Sequence, residues 1–365
     1  MDYEKKYNRL LEETKKVKKL YLKQALIKEN KELLKKIGGP FIKDEEYKKE
    51  IVNYWENFNY IPKKFWFDIY CNRDKRINKY MLPADLYYND IIPYLNNLSF
   101  WNALADKNYI DVLFGDVNRP KTICKNINGF YYDDRNRLIK ETEAIDILYN
   151  YKKEFIIKPT IDTSMGKNII IIEDGFNNKK EVKAIFDTYN KNFICQETIK
   201  QHKDLSSLNP DCVNTIRVMS LLYNNKVYNV SCVIRVGDRN TTYLKTVKGN
   251  VTQGIGLEVL ENGRLAKKGI YKSGKWIEDD YYGNKLSSHI VPSMKKIQDL
   301  TKEIHIRVPH FKCIGWDFSV DVNGNPVLIE LNVSPGINVQ LMTGKPVFGK
   351  LTPIVLEKYF KGETF

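Results

Sequence analysis

Asp317, Glu330 and Asn332 are the residues whose types and spacing point most directly to chemistry. They flank Asn323-Gly324, a dipeptide that favours a two-residue hairpin turn because both turn positions take positive φ. With that turn, Val322 faces Asn325 and Asp317 falls directly opposite Glu330. Trp316, Phe318 and Val320 oppose Leu331, Ile329 and Val327 on an apolar face, while Asp317, Ser319, Asp321, Leu328, Glu330 and Asn332 share the other. Like charges facing across a ladder destabilise it. A hard cation resolves the conflict: two carboxylates and an amide oxygen suit Mg²⁺, which completes its shell with water and phosphate oxygens. The plainer alternative is an edge hairpin with a solvated polar face. Ser334-Pro335-Gly336 follows at once, a turn able to present backbone N–H groups to an anion.

Upstream stand groups that suit a phosphorylated ligand. Thr160–Lys167 joins two apolar strands and carries hydroxyl, glycine and lysine groups, so it can fold over phosphates; a plain hairpin loop is the alternative, since it holds one glycine and no Walker A pattern. Phe193–Ile199 ends a strand where backbone groups can hold a purine, and Asp204 follows Glu197 within reach of a ribose. Arg217 and Arg235 sit in apolar strand runs, as surface side chains or as phosphate ligands.

The elements that must position these groups read as an α+β chain. Its 365 residues allow two or three packed units, and 42% hydrophobic with 12% aromatic residues marks a globular protein. The net charge of +14 implies an anionic partner. Six scattered cysteines without C-x-x-C spacing imply reduced thiols in a cytoplasmic setting rather than a disulfide framework or zinc site. The charged first twenty residues do not resemble a signal peptide, and no apolar run approaches the roughly 20 residues of a membrane span.

Residues 1–40 form a basic N-terminal unit. Tyr3, Tyr7, Leu10, Thr14, Val17 and Tyr21 recur at helical spacing, predicting a helix over 1–37 that packs on the main body and stops at Gly38-Gly39-Pro40. The alternative is a basic amphipathic helix touching a membrane or a partner. Residues 41–100 form an aromatic-rich helical cap whose rings are core; no RNA-binding motif accompanies them, so no nucleic acid is expected. Ile110–Phe114 reads as a helix end or short strand. Strands are expected at 129–134, 154–159, 168–173, 192–197 and through 214–236, with helices at 141–149, 179–190 and 290–304. Residues 240–282 alternate short strands with Gly turns.

In this order the motifs resemble the ATP-grasp superfamily, and most closely its sugar-transfer-associated branch, over residues 60–350. The resemblance implies two α+β subdomains clamping ATP, at 101–205 and 206–365. Asp106-Lys107 and Ile157-Lys158-Pro159 match the two phosphate lysines. Ser164, Gly166 and Lys167 take the place of the glycine-rich lid. Gln196, Glu197 and Ile199 resemble the adenine hinge, with Asp204 as ribose acid. Asp317, Glu330 and Asn332 match three magnesium ligands. Many relatives carry an arginine two residues before the first metal aspartate, where this chain has Gly315; Arg217 or Arg235 is then the source of that charge.

The resemblance implies ATP and Mg²⁺ (or Mn²⁺) as cofactors. It implies a ligase that activates a carboxylate as an acyl phosphate and joins it to an amine, in surface-polysaccharide or nucleotide-sugar metabolism. A uronic acid is one candidate carboxylate. Arg217 and Arg235 would steady the transferring group. His202, His289, His305 and His310 are not needed as bases. Two other outcomes fit the same nucleotide site: a small-molecule or sugar kinase, and a non-catalytic ATP-binding scaffold for a glycosyltransferase. The latter would regulate that enzyme through residues 1–100. In any of these readings the basic N-terminus is a candidate contact with the membrane or a glycosyltransferase.

Overall fold

Two antiparallel sheets carry the elements that matter. The computed structural model describes residues 2–104, 106–161, 168–238 and 253–365. The first sheet contains β1 (Thr122–Ile127), β2 (Phe130–Asp133), β3 (Leu138–Ile139), β4 (Phe155–Pro159), β5 (Ile170–Ile172) and β6 (Phe193–Glu197), in the order β3-β2-β1-β6-β4-β5. Ala144 and Leu148 of the helix Glu141–Asn150, with Val182 and Phe186 of the helix Lys179–Tyr189, bury against Ile123, Tyr131, Phe155, Ile157 and Phe193.

The second sheet contains β7 (Thr215–Tyr223), β8 (Lys226–Gly237), β9 (Gln253–Val259), β10 (Leu265–Tyr271), β11 (Trp276–Glu278), β12 (Cys313–Val320) and β13 (Pro326–Asn332), ordered β11-β10-β9-β8-β7-β12-β13. Both of its faces are covered. Ile216, Val218, Trp316 and Phe318 pack with the helix Met294–His305 and with Ile110 and Phe114. Met219, Leu221 and Cys313 point the other way, onto the aromatic-rich residues 41–100 and the C-terminal helices. Trp55, Trp66, Phe67, Tyr70 and Tyr87 are fully buried there, so these rings are core.

Four details refine or correct the sequence expectations. Of the two readings of Ile110–Phe114 the helical one holds, over Ile110–Leu113. The buried strand β1 escaped notice, although Asn128-Gly129 marks its end: both residues have positive φ and join Ile127 directly to Phe130. The long helix Asp2–Lys36 forms, but Tyr3, Tyr7, Leu10, Val17 and Tyr21 are exposed; Leu26, Ile27, Leu33 and Leu34 are the residues that meet the body.

The fourth lies in the hairpin. Asn323 lacks positive φ and Gly324 alone has it, at 79°. Gly324 N–H bonds Asp321 O, and Asp321 N–H bonds Asn325 O. This is a three-residue loop closed by a left-handed glycine. It shifts the ladder by one, so Phe318 pairs with Leu328 rather than Ile329. A bulge at Ile329 then restores the register, and Asp317 pairs with Glu330 as expected. Leu328 accordingly joins the apolar cluster, from which Ile329 is missing.

β12 is locked in rotation by a buried polar chain. Trp316 Nε1–H donates to Ser220 Oγ at 2.8 Å; Ser220 Oγ lies 2.7 Å from His305 Nδ1, and His305 Nε2 lies 2.8 Å from Phe311 O. Burial pushes the His305 pKa down to about 4, so the ring is neutral, donating from Nε2 and accepting at Nδ1. With Trp316 pinned on one face, Asp317 must point to the other.

Candidate nucleotide and metal site

Arg235 on β8, Arg217 on β7, Asp317 on β12 and Glu330 on β13 form a charged row across four adjacent strands, on the face that also meets the helical cap. Arg217 and Asp317 are direct ladder partners. Arg217 Nε and Nη2 grip Asp317 Oδ1 and Oδ2 at 2.7 and 2.5 Å, and Arg235 Nη2 reaches Oδ1 at 2.7 Å. Burial alone would raise the Asp317 pKa. The two guanidinium charges outweigh it and hold the carboxyl well below the usual carboxylate range.

Gly315 explains how this row fits. It pairs with Met219 and Asn332, and an added Cβ would lie 2.8 Å from Pro335 Cβ and 3.6 Å from Arg217 Cδ. A Cβ at 315 would collide with the Pro335 ring, while the Arg217 stem lies at ordinary contact distance. Arg217 and Arg235 both bring positive charge to Asp317.

The cap holds the turn beyond Asn332. Tyr87 Oη–H donates to Pro335 O, and Ile337 N–H donates to Tyr88 Oη, both at 3.0 Å. Of the turn's N–H groups, that of Ile337 is therefore already bonded.

The first sheet and the segment before it bring cations to the same place. Lys107 Nζ stands 3.7 Å from Glu330 Oε2. Lys158 on β4 is buried, and its pKa is pushed down to about 8, first by burial and then by the neighbouring Lys107 charge; Glu330 opposes the shift.

Asn108 and Lys125, which sequence reasoning passed over, fix these lysines relative to one another. Asn108 Nδ2 bonds Thr160 Oγ1 at 3.0 Å and Asn126 O at 3.2 Å, while Lys107 N–H bonds Thr160 O at 3.2 Å. Lys125, almost wholly buried, donates to Asn108 O at 2.9 Å and lies 3.4 Å from Asp111. The signal for Lys125 was available: a lone lysine in a strand run ending at Asn128-Gly129.

The hinge residues occupy the far end of β6. Glu197 pairs with Phe155, and Lys158 with Ile194, so the two lie three ladder positions apart, about 10 Å. Tyr151 Oη–H donates to Glu197 Oε1. Glu197 N–H is taken by Lys121 O, and Gln196 Nε2 approaches Pro120 O at 3.4 Å. Ile199 is half-buried in the following segment. Asp204 lies beside His202, whose N–H bonds Val320 O at 2.8 Å and ties the hinge exit to β12. Ser164, Gly166 and Lys167 lie outside the described residues.

The donor chemistry fits a hard cation and an anion together. Among the described residues no three His, Cys, Asp or Glu side chains converge on one point, but two carboxylates and the Asn332 amide do share this face. A carboxylate offers about four acceptor positions, and the arginines use three at Asp317. The Asn332 amide directs Nδ2 to Asp317 Oδ2 and Gly315 O, each at 3.4 Å; as a ligand it would present Oδ1. Arg235 Nε is buried with no acceptor among the described residues, which suits an anion arriving there.

The ATP-grasp ligase PsnB with its minimal precursor is similar at 14% identity and TM-score 0.40, covering 72% of this chain and 64% of that one. The L-amino acid ligase of Bacillus licheniformis is similar at 10% identity and TM-score 0.39, over 71% and 48%. D-alanyl-alanine synthetase A of Vibrio cholerae gives 13% identity and TM-score 0.39, over 72% and 66%. The chain thus spans just under two thirds of the first solved protein and about half of the second. No curated protein matches in sequence. The model of the sugar-transfer associated ATP-grasp family matches residues 88–355, and the chain belongs to that family.

Proposed function

We propose that the protein is an ATP- and Mg²⁺-dependent ligase that joins a carboxylate to an amine through an acyl phosphate, releasing ADP and phosphate, in the assembly of a surface polysaccharide or a nucleotide sugar. The observation that carries it is the charged row Arg235–Arg217–Asp317–Glu330, met by Lys158 from the other sheet and by Lys107 from the segment before it.

In this reading Lys107 and Lys158 hold the α- and β-phosphates. Glu197, Gln196 and Ile199 receive the base, about 10 Å along β6 from Lys158, and Asp204 receives the ribose. Ser164, Gly166 and Lys167 belong to the loop that covers the outer phosphates. Asp317, Glu330 and Asn332 would hold Mg²⁺, which when bound offsets phosphate charge during transfer. Arg217 and Arg235 are preorganised by Asp317, so their charge is available without reorganisation when the carboxylate substrate is phosphorylated. Arg217 is the less exposed of the two arginines, at 12% against 27% for Arg235, so it limits water at the inner end of the row. The amine then displaces phosphate.

The test is to incubate the protein with ATP, Mg²⁺ and pooled carboxylates and amines while following ADP and free phosphate. Ligation yields both, and only when both substrates are present. ADP without free phosphate would replace the ligase by a kinase, and ATP binding without turnover would leave a scaffold.

A further inference from the structure

The N-terminal helix carries two stripes that serve different surfaces. Lys19, Lys23, Leu26, Asn30 and Leu33 face the body: Lys19 pairs with Asp90 at 2.7 Å, Lys23 with Asp85 at 3.5 Å, and the later residues join the cap core. Tyr3, Tyr7, Leu10, Thr14, Val17 and Tyr21 lie about 180° away, at 100° per residue. They stand in solvent: Tyr3 is 88% exposed, Tyr7 64%, Leu10 54%, Val17 65% and Tyr21 76%. The body does not cover this stripe: residues 3–22 are all exposed, and contact with the body begins at Lys19.

The spacing of the outer stripe alternates four and three residues over nearly three heptads, the a/d pattern of a coiled coil rather than the broad face of a helix on a globular core. Tyr7, Thr14 and Tyr21 take the a positions, and Tyr3, Leu10 and Val17 take d. The flanking residues then select the partner. In a parallel pair each g position meets the e position five residues on in the other helix. Glu13 meets Lys18, Lys6 meets Leu11, and Leu20 meets Ala25, so the helix complements its own copy and no like charges face each other.

We propose that residues 3–21 form a parallel two-stranded coiled coil with the same segment of a second copy of this chain, making the protein a homodimer joined through its N-terminal helices. Pairing buries the exposed tyrosine, leucine and valine side chains and places the two bodies side by side, each still bound through the opposite stripe. The helix Asp2–Lys36 is continuous between the two contacts, so the dimer is coupled to the cap without a linker.

Sedimentation velocity of the full chain over a range of concentrations tests this. The wild type should sediment as a concentration-dependent dimer. Leu10→Lys with Val17→Lys should sediment as a monomer that keeps the near-ultraviolet circular dichroism of the body, since neither side chain touches it. Glu13→Lys alone should weaken association at least tenfold, and adding Lys18→Glu should restore it, because the swapped helix again complements itself. A wild type that is monomeric throughout, or a dimer that survives the Leu10/Val17 change, would overturn the proposal. So would a monomer that pellets with vesicles of phosphatidylcholine and phosphatidylserine through Leu10 and Val17, which would assign the stripe to a membrane surface instead.

Discussion

Asp317 and Glu330 are ladder partners, yet they contribute differently to stability. The Asp317 side chain is 3% exposed and held by two guanidiniums, while that of Glu330 is 30% exposed with Lys107 at 3.7 Å. Asp317→Asn leaves buried arginine charge uncompensated and should cost about 3–5 kcal/mol in denaturant unfolding. Glu330→Gln should change stability by less than about 1 kcal/mol, while abolishing Mg²⁺-dependent ATP consumption. Equal stability loss in the two variants would contradict this division. Lys158 supplies a pH test. Its folded pKa, pushed down to about 8, lies below the unfolded value, so the buried charge destabilises the free protein below pH 8 and the penalty lifts as pH rises. Lys158→Met should therefore raise the melting point of the nucleotide-free protein at pH 7, with the advantage shrinking above pH 8. It should weaken ATP by about 10- to 100-fold, the worth of a charge-assisted contact. Wild-type ATP affinity should fall between pH 7 and 9, and that fall should be absent from the variant.

At the scale of elements, the hairpin reaches its register by two one-residue shifts that cancel. The extra residue of the Gly324 loop moves the ladder one way, and the Ile329 bulge moves it back before Glu330. The sequence reading therefore had the right carboxylate pairing with the wrong turn, and misassigned Leu328 and Ile329 between the faces. Asn-Gly specifies a two-residue turn at 128–129, where both residues take positive φ, but not at 323–324. In the second case Asp321 captures Asn323 N–H and Asn325 N–H through Oδ1, at 2.9 and 2.8 Å. That side-chain competition favours the longer loop. Gly315 is where strand β12 is least tolerant. Gly315→Ala would press on Pro335 at 2.8 Å and should cost about 1–3 kcal/mol. It should also reduce Mg²⁺ affinity by shifting Asn332, which isothermal titration would detect. A variant that unfolds like the wild type would show that the turn after Asn332 yields freely.

For the whole molecule, the site belongs to neither sheet alone. Lys158 and Glu197 come from the first, and Asp317 and Glu330 from the second. Lys107 and Tyr87 come from the segments before both. Saturating ATP with Mg²⁺, at about a hundred times its dissociation constant, should stabilise the fold by about 2.7 kcal/mol, and amide exchange should slow in β4–β6 and β12–β13 together. Protection confined to one sheet would remove the other from the site. This division also sets what the chain alone reveals. Periodicity and turn residues determined by themselves the long N-terminal helix, the strands around Lys158 and Glu197, and the existence of the hairpin, because these depend on neighbours in sequence; the facing of Asp317 and Glu330 also needed the compensating bulge at Ile329. Only the tertiary structure decided that Arg217 and Arg235 converge on Asp317, that Gly315 is small to admit Pro335, that Asn108 and Lys125 brace Lys107, and that the tyrosine stripe of the first helix faces solvent. Each of those rests on groups many residues apart, and side-chain packing between sheets leaves no period in the chain from which to read it.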